Sequence, residues 1–362
     1  MRAKLWIVVL ATLTVGLIAA TPSVAPAGEV SASPAYKVLA PIRHENLTVF
    51  PVVASASHDT QQFLTLDEGI RSGDVVVSES GAMRPLLRPR QPRVMTWQEN
   101  AQVNRLVLVN NSKRPLILLA GEIVTGGKQD RVIGKDRLVP AESDPIDLSV
   151  FCVEPGRWTA TKANFGSFGS AMAQPAVRAR AMSDKNQEMV WSEVRKAQGV
   201  IGGMLPAPSA AAVQGTSSYA RVMDNDEVKK RVEVVAGPVE HDYQSAIKQL
   251  RDRNAVGVVV AVNGEIIWAD VFASTGLLEK YWPKLVRSYA AEAFVMGSKS
   301  PEVDLKSAQR FLDDMESRRE TVETEPGLFR QTEITGDGFK AFGLTSLLPK
   351  TGFDLHLAKM AE

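Results

Sequence analysis

The residues best suited to chemistry fall in one stretch, residues 118–158, which reads LLAGEIVTGGKQDRVIGKDRLVPAESDPIDLSVFCVEPGRW. Glycines, paired charges, a glutamine and a tryptophan are concentrated there between strand-like runs. Cationic and amide donors beside the backbone N–H groups of a glycine-rich turn can hold an anion. The stretch therefore predicts a ligand-binding patch made of Lys128, Gln129, Arg131, Arg157 and Trp158.

Gly121 begins a segment that matches a phosphate-binding loop only in part. That loop needs Gly, four residues, Gly, Lys and then Ser or Thr. Here Lys128 comes one residue late, Gln129 stands in place of the hydroxyl, and residues 131–134 look like a strand and turn. Two interpretations remain open: a glycine-rich turn that binds an anion with Lys128 and Arg131, and an ordinary β-turn with solvated charges.

The candidates for a catalytic role are Glu122, Cys152 and Glu154. Two carboxylates in different surroundings can divide the acid and base roles of a hydrolase. A cysteine nucleophile needs a base, usually histidine, and the histidines at positions 44, 58, 241 and 356 form no motif with Cys152. A free cysteine is more often a small buried apolar side chain, and we expect this of Cys152.

Composition excludes several other kinds of site and partner. No two histidines lie close together and the chain has one cysteine, so we expect no metal site. We also expect no cofactor. Lys plus Arg is 42 against 41 for Asp plus Glu, so no bulk positive charge is available to hold nucleic acid. The expected partner is a small anionic ligand, and the sequence indicates no particular protein partner.

The first 27 residues predict a secretory signal peptide. Arg2 and Lys4 precede an apolar run over residues 5–20, and the sequence APA at positions 25–27 suits cleavage after Ala27. An uncleaved anchor is the alternative, since the run approaches the roughly 20 residues that span a bilayer. Residues 28–34 read as a linker. We expect an exported protein, periplasmic or extracellular, with no stable membrane span after cleavage.

Residues 35–360 predict one α+β domain. Strand-like runs dominate residues 35–160, residues 175–220 supply a helix and a mobile loop, and residues 221–360 mix helices with strands. Strands followed by helices and then by more strands are typical of the α+β class and not of repeated βαβ units. We therefore expect mainly antiparallel sheets with helices packed on them.

Four local patterns make sharper predictions. Turn residues at 111–114 and the dipeptide Asn263-Gly264 each predict a hairpin between the strands on either side. Residues 199–218 carry no charge and are rich in Gly, Ala, Ser and Pro, which predicts a mobile loop after a helix ending at Gly199. Gly237 and Pro238 predict a break between two helices.

Eight short segments, in order over nearly the whole chain, resemble the pattern of one known family. They are residues 65–69 (TLDEG), 119–122 (LAGE), 127–131 (GKQDR), 138–141 (LVPA), 152–158 (CVEPGRW), 190–193 (VWSE), 269–272 (ADVF) and 281–289 (YWPKLVRSY). The chain resembles the ARG and rhodanese-phosphatase-superfamily-associated protein domain, where ARG stands for ADP-ribosylglycohydrolase. It departs from the family pattern at Gly127, Asp130 and Pro155, where Ala, Asn and Gln are common.

This resemblance implies an association with ADP-ribose and phosphate chemistry but no catalytic residues. It also implies that a single motif set includes Glu122, Lys128, Gln129, Arg131, Glu154, Arg157 and Trp158. We therefore expect a non-catalytic or accessory binding domain of the cell envelope for a small anionic, ribose-phosphate-like ligand. One alternative is a hydrolase acting on a nucleotide-sugar or phosphoester through Glu122 or Glu154 with Arg157. Another is a purely structural envelope protein, which buried ion pairs between Glu and Arg would favour.

Overall fold

The computed structural model describes residues 36–80, 103–250, 254–297 and 302–362. The predicted signal peptide, residues 1–27, and the linker, residues 28–34, lie outside the described residues. Among the helices of the described ranges, none combines the length and the apolar character that crossing a membrane requires.

Eight α-helices form in these ranges, and their starts follow from local capping. The side chain of Thr65 accepts a hydrogen bond from the N–H of Glu68, and Glu68 bonds back to Thr65. Ser274 caps the longest C-terminal helix in the same way through the N–H of Leu277. The helices are α1 (Leu66–Ser72), α2 (Pro175–Ala179), α3 (Gln187–Met204), α4 (Ser209–Gln214), α5 (Tyr219–Asp224), α6 (Asp226–Lys248), α7 (Thr275–Met296) and α8 (Leu305–Asp313).

Eighteen strands form three sheets in the same residues. The first twelve are β1 (Lys37–Val38), β2 (Ile42–His44), β3 (Leu47–Ala54), β4 (Leu64–Thr65), β5 (Val75–Glu79), β6 (Arg105–Asn110), β7 (Leu116–Leu118), β8 (Ile123–Thr125), β9 (Arg131–Ile133), β10 (Arg137–Val139), β11 (Ile146–Cys152) and β12 (Gly166–Ser167). The others are β13 (Asn254–Val262), β14 (Glu265–Phe272), β15 (Arg319–Glu325), β16 (Phe329–Thr335), β17 (Phe339–Ser346) and β18 (Asp354–Ala361).

The largest sheet is antiparallel and runs in the order β1-β3-β13-β14-β18-β17-β16-β15, with β2 also paired to β3. Helices cover both faces of its centre. Val258 and Val260 pack in the same core as Leu285 of α7, whereas Val259 packs with Leu312 of α8 on the other side. Side chains that alternate along a strand point to opposite faces, so this apolar run is buried on both.

A second sheet curls into a small barrel. Its strand order is β12-β8-β9-β11-β6-β5. The two edges meet because Ser78 of β5 bridges to Asn164, and the N–H of Phe165 donates to the carbonyl of Val77. A third sheet, β10-β7-β4, shares one apolar core with the barrel, and β4 pairs in parallel with β7. The β8–β9 turn and the segment after β11 therefore lie side by side at one end of the barrel.

The predicted α+β class with mainly antiparallel sheets is confirmed. The Asn263-Gly264 hairpin is also confirmed: β13 pairs with β14, and the two turn residues have φ angles of 53° and 78°. Both values lie in the left-handed region that Asn and Gly tolerate best. Local turn chemistry was sufficient here because a two-residue hairpin turn requires positive φ at both positions, which Asn and Gly supply.

The hairpin predicted around residues 111–114 is wrong. β6 pairs with β5 and β11, whereas β7 pairs with β10 and β4, so the two strands belong to different sheets. The turn chemistry is real, since Asn110 accepts a hydrogen bond from the N–H of Ser112. Asn110 also donates to the carbonyls of Arg114 and Pro140, however. The bond to Pro140, which follows β10, holds this turn close to the strand that pairs with β7.

Two predicted interruptions of helices are also wrong. Helix α3 runs past Gly199 to Met204, and α4 occupies part of the predicted mobile loop at 199–218. Gln198 donates to the carbonyls of Val213 and Thr216, which holds this segment against α3. Helix α6 continues through Pro238. Its buried residues, which recur every three or four positions across the proline, are Val228, Val232, Val235, Ala236, Val239 and Tyr243. Packing of this face outweighs the local cost of proline.

Candidate functional site

Strand pairing brings the two halves of the predicted patch together. In the β9–β11 ladder Arg131 lies opposite Cys152, and the N–H of Val153 donates to the carbonyl of Asp130. The turn that carries Lys128 and Gln129 therefore faces the segment that carries Arg157 and Trp158. The structure places all five predicted ligand-binding residues at this end of the barrel, but only some of them reach the surface.

Arg157 is the hub of an ion-pair cluster beneath that surface. Its Nη2 lies 2.5 Å from Oε2 of Glu154 and 3.4 Å from Oδ1 of Asp130. It also donates to the backbone carbonyls of Gly126, Gly127 and Thr159. The hydrogen bond to Glu154 raises the pKa of Arg157. The guanidinium is thus engaged in bonds within the protein, and these bonds fix the β8–β9 turn.

Two glycines give this turn its shape. Gly126 and Gly127 have φ angles of 128° and 46°. A Cβ on Gly127 would lie 2.2 Å from a ring carbon of Phe165, so a larger residue does not fit there without displacing the ring. The tight approach keeps Lys128 at a defined position, with its backbone N–H donating to Oε1 of Glu79.

The half-buried Lys128 and the exposed Trp158 form the outer part of the patch, which we call the Lys128–Trp158 shelf. The ammonium lies 5.0 Å from the centroid of the indole, a cation–π geometry. The Trp158 side chain is 44% exposed. Within the residues that the structure describes, no carboxylate lies within the 4.0 Å ion-pair distance of this ammonium. The shelf therefore presents a positive charge with no ion-pair partner in these ranges, placed over the ring of an exposed indole.

Gln129 and Arg131 lie in the interior instead. Arg131 is completely buried, and burial lowers its pKa. Its Nη1 donates weakly to the carbonyl of Asp130, at 3.4 Å, while Nε and Nη2 have no acceptor among the described residues. The amide of Gln129 donates to the carbonyl of Glu154 and its oxygen has no described donor. Buried donors of this kind normally bind ordered water or a ligand.

The thiol of Cys152 lacks the features of a nucleophile. It is buried, and burial raises its pKa. Its sulfur accepts a hydrogen bond from the N–H of Glu154. The backbone N–H of Cys152 donates to the side-chain oxygen of Gln187 in α3. No histidine in the described ranges bonds to it. Without a base or a lowered pKa the thiolate is scarce at neutral pH.

Glu122 belongs to a different cluster. Its Oε1 lies 2.7 Å from the ammonium of Lys284, which lies 2.6 Å from Oδ2 of Asp67. Burial opposes the charge on Lys284, but the two carboxylates outweigh it and raise its pKa. Three distant parts of the chain, namely α1, the residue before β8 and α7, thus meet at one buried ammonium.

Glu122 and Glu154 are separated by the length of β9. Because Ile123 pairs with Val132, Glu122 lies next to Ile133. Because Cys152 pairs with Arg131, Glu154 lies beyond the other end of the strand, next to Gln129. Four residues of extended chain correspond to roughly 13 Å. The two carboxylates share no partner in the described structure, which argues against one active site that uses both.

The interior network around Asp270 was not anticipated from the sequence. Arg178 makes a bidentate pair with Asp270, at 2.9 and 3.0 Å, and stacks over the ring of Trp268. His356 lies 3.1 Å from Asp270 through Nε2 and 2.6 Å from Asp136 through Nδ1. The sequence indicated one member of this network, because Asp270 is an acid within an apolar strand and a buried acid needs a buried partner. Nothing local identified Arg178 or His356 as that partner.

No metal centre is evident in the described ranges, where no group of three or more His, Cys, Asp or Glu side chains could hold an ion. A family model matches residues 35–359 and covers most of the chain. The chain belongs to the ARG and Rhodanese-Phosphatase-superfamily-associated Protein domain family, ARPP-1. No curated protein and no solved structure matches it.

The segments that carry the ARPP-1 resemblance converge in these clusters. Asp67, Glu122 and Lys284 come from three of the segments and form one ion-pair cluster. Glu154 and Arg157 come from a fourth and bond to Asp130 of a fifth. Much of the ARPP-1 motif set is therefore interior, and its surface contribution at this end of the barrel is the shelf of Lys128 and Trp158.

Proposed function

We propose that this ARPP-1 domain is a non-catalytic binding domain for a small anionic ligand that carries a ring, such as a ribose phosphate or a nucleotide. The Lys128–Trp158 shelf is the binding site. The observation that supports this most directly is the unpaired ammonium of Lys128, 5.0 Å from the exposed indole of Trp158.

The chemistry of the shelf suits that ligand class. A phosphate or carboxylate binds an ammonium through charge-assisted hydrogen bonds, each worth about 1.5–3 kcal/mol. A planar ring that stacks on an indole contributes roughly 1–3 kcal/mol, as bases do on aromatic side chains. Together these interactions favour a ligand with both groups over inorganic phosphate or an uncharged ring.

The ion-pair cluster beneath the shelf has a supporting role in this proposal. Arg157, Glu154 and Asp130 hold the turn and the Trp158 segment in register, so the shelf is formed before the ligand binds. Preorganisation of this kind improves affinity because less motion is lost on binding. The unpartnered donors of Arg131 add positive potential below the turn.

A hydrolase is the less favoured alternative. Glu122 and Glu154 are held in separate clusters, and Cys152 has no base. A structural role is the remaining alternative, and it is supported by the burial of the Glu154–Arg157 pair. We further propose that the domain acts outside the cytoplasm, because residues 1–27 have the composition of a signal peptide.

Thermal unfolding of the mature chain with a ligand panel tests the proposal. The panel contains ADP-ribose, AMP, ribose 5-phosphate and inorganic phosphate. A ligand at 100 times its dissociation constant adds about 2.7 kcal/mol of stability, which is visible as a raised melting temperature. We expect the shift to disappear in Lys128→Ala and Trp158→Ala and to persist in Lys162→Ala, an exposed lysine of the same segment. An undiminished shift in Lys128→Ala would refute the site.

A further inference from the structure

A second cation-lined pocket, of about 330 Å³, lies between the barrel and the third sheet. Its apolar floor comes from Leu118, Ile133 and Leu148, and its polar walls include Arg105, Lys135, Arg137 and Asp147. We call it the Arg105–Arg137 pocket. Lys135 follows β9 whereas Lys128 precedes it, so the pocket and the shelf lie at opposite ends of that strand.

Two cations of the pocket are bonded to carboxylates of one outlying strand. Nζ of Lys135 lies 2.8 Å from Glu323, and Nη2 of Arg137 lies 3.3 Å from Glu325. Both acids belong to β15, the edge strand of the large sheet, whose seven residues are all exposed. Glu323 is 65% and Glu325 47% exposed at the side chain. Ion pairs this exposed contribute roughly 0–1 kcal/mol, so the carboxylates are easily replaced.

One of the two parallel N–H donors on one edge of the Arg137 guanidinium has no acceptor among the described residues. Its Nη1 donates to the carbonyl of Asp147 at 2.8 Å. Its Nε is buried and has no acceptor in the described residues. Nε and Nη2 project along the same edge of the planar guanidinium, and this edge is the fork that binds phosphate or carboxylate with two parallel hydrogen bonds. Glu325 engages only one of the two donors.

We propose that the Arg105–Arg137 pocket binds a phosphate-bearing small molecule, which displaces Glu323 and Glu325 from Lys135 and Arg137. The phosphoryl oxygens take both donors of the Arg137 fork and the ammonium of Lys135. Once the two glutamates are displaced, three cations face the single carboxylate of Asp147 in the pocket. That balance leaves two positive charges, which matches a phosphoryl dianion. The glutamates then act as internal competitors that a ligand must replace.

The test is a calorimetric titration of the full mature chain with inorganic pyrophosphate at constant ionic strength. Glu323→Gln/Glu325→Gln removes the competing charges, so we expect binding about fivefold tighter than in the wild type. Glu316→Gln/Glu320→Gln is the matched control, because it removes two exposed charges of the same region that form no ion pair among the described residues. We expect it to change the affinity less than twofold.

Loss of the fork gives the opposite result. Arg137→Gln should weaken binding at least tenfold, and Lys135→Gln, at a more exposed position, serves the same purpose if the first variant does not fold. Each pocket variant is also titrated in the Lys128→Ala background, where the effects of the pocket substitutions should be the same, and this comparison separates the pocket from the shelf. The proposal is overturned if pyrophosphate binds neither the wild type nor Glu323→Gln/Glu325→Gln, or if the control pair tightens binding equally. It is also overturned if Arg137→Gln, or Lys135→Gln where Arg137→Gln does not fold, binds as the wild type does.

Discussion

The imidazole of His356 lies 2.6 Å from the carboxylate of Asp136, so the last strand of the large sheet is bonded directly to the segment between β9 and β10. Both side chains are buried. The other imidazole nitrogen reaches Asp270, which also pairs with Arg178 and accepts a hydrogen bond from Tyr289. This interior network joins the barrel region to the large sheet, and the shelf depends on the barrel.

This bridge predicts that the protein loses stability at high pH. Burial opposes the charge on His356, but Asp136 and Asp270 outweigh it and raise its pKa from 6.5 to about 9. A raised pKa means that the folded state binds the proton more tightly than the unfolded state does. The stabilisation is complete below about pH 6.5 and is lost as pH rises through about 9.

Urea unfolding between pH 6 and pH 10 measures this effect. The wild type should lose on the order of 3 kcal/mol relative to His356→Gln over that range. The difference between the two proteins is needed because Lys359, whose pKa is lowered to about 8 mainly by burial, contributes in the opposite direction. Parallel stability curves for the two proteins would contradict the bridge.

The Arg178–Asp270 pair predicts a strong coupling energy. Arg178→Met leaves Asp270 buried without its bidentate partner, and breaking a buried pair typically costs 3–5 kcal/mol. Arg178→Met/Asp270→Leu removes both charges and should cost clearly less than the sum of the single changes. Chemical denaturation of Arg178→Met, Asp270→Leu and the double variant gives the double-mutant cycle that measures this coupling. Additive effects would show that the pair is not coupled in the folded protein.

Substitution of Arg157 should lower the stability of the protein much more than substitution of Lys128. Arg157→Ala removes the donor to three backbone carbonyls and leaves Glu154 buried without its cation, so we expect a loss of about 2–4 kcal/mol in the free energy of unfolding. Lys128→Ala removes an ammonium that forms no ion pair with the described residues and should cost under about 1 kcal/mol. Denaturation midpoints compare the two. Equal losses would mean that Lys128 is as structural as Arg157.

Cys152 should be unreactive in the folded protein. Its thiol is buried and burial raises its pKa, so both access and thiolate population are low. A disulfide reagent such as DTNB should label the single thiol only as fast as the protein unfolds, and completely in denaturant. Rapid labelling of the native chain at neutral pH would contradict this prediction and support a role for Cys152 as a nucleophile.

Sequence patterns predicted those parts of the fold that depend on neighbouring residues. The Asn263-Gly264 turn forms as predicted, and it depends only on adjacent residues, as do the helix caps at Thr65 and Ser274. The proximity of Lys128 and Trp158, although not their ligand-binding role, was predictable for a similar reason. The two halves of the patch lie only about 30 residues apart, on segments that flank antiparallel strands.

The interior clusters could not be predicted because their bonds span the chain. Lys284 and Glu122 are separated by 162 positions, and His356 and Asp136 by 220. Periodicity identifies which face of an element is buried, but it does not show which distant charge will meet it. The division of the patch into an exposed shelf and interior donors was hidden for the same reason, since burial of Arg131 depends on closure of the barrel.

Calorimetric titration of residues 28–362 with the panel ligand that gives the largest thermal shift would test ligand binding at the Lys128–Trp158 shelf. Wild type, Lys128→Ala, Trp158→Ala, the double variant and Lys162→Ala are compared. A binding site at the shelf predicts at least tenfold weaker binding for each of the first two substitutions and less than twofold change for Lys162→Ala. Wild-type affinity in both Lys128→Ala and Trp158→Ala, or no binding of any panel ligand to the wild type, would contradict it.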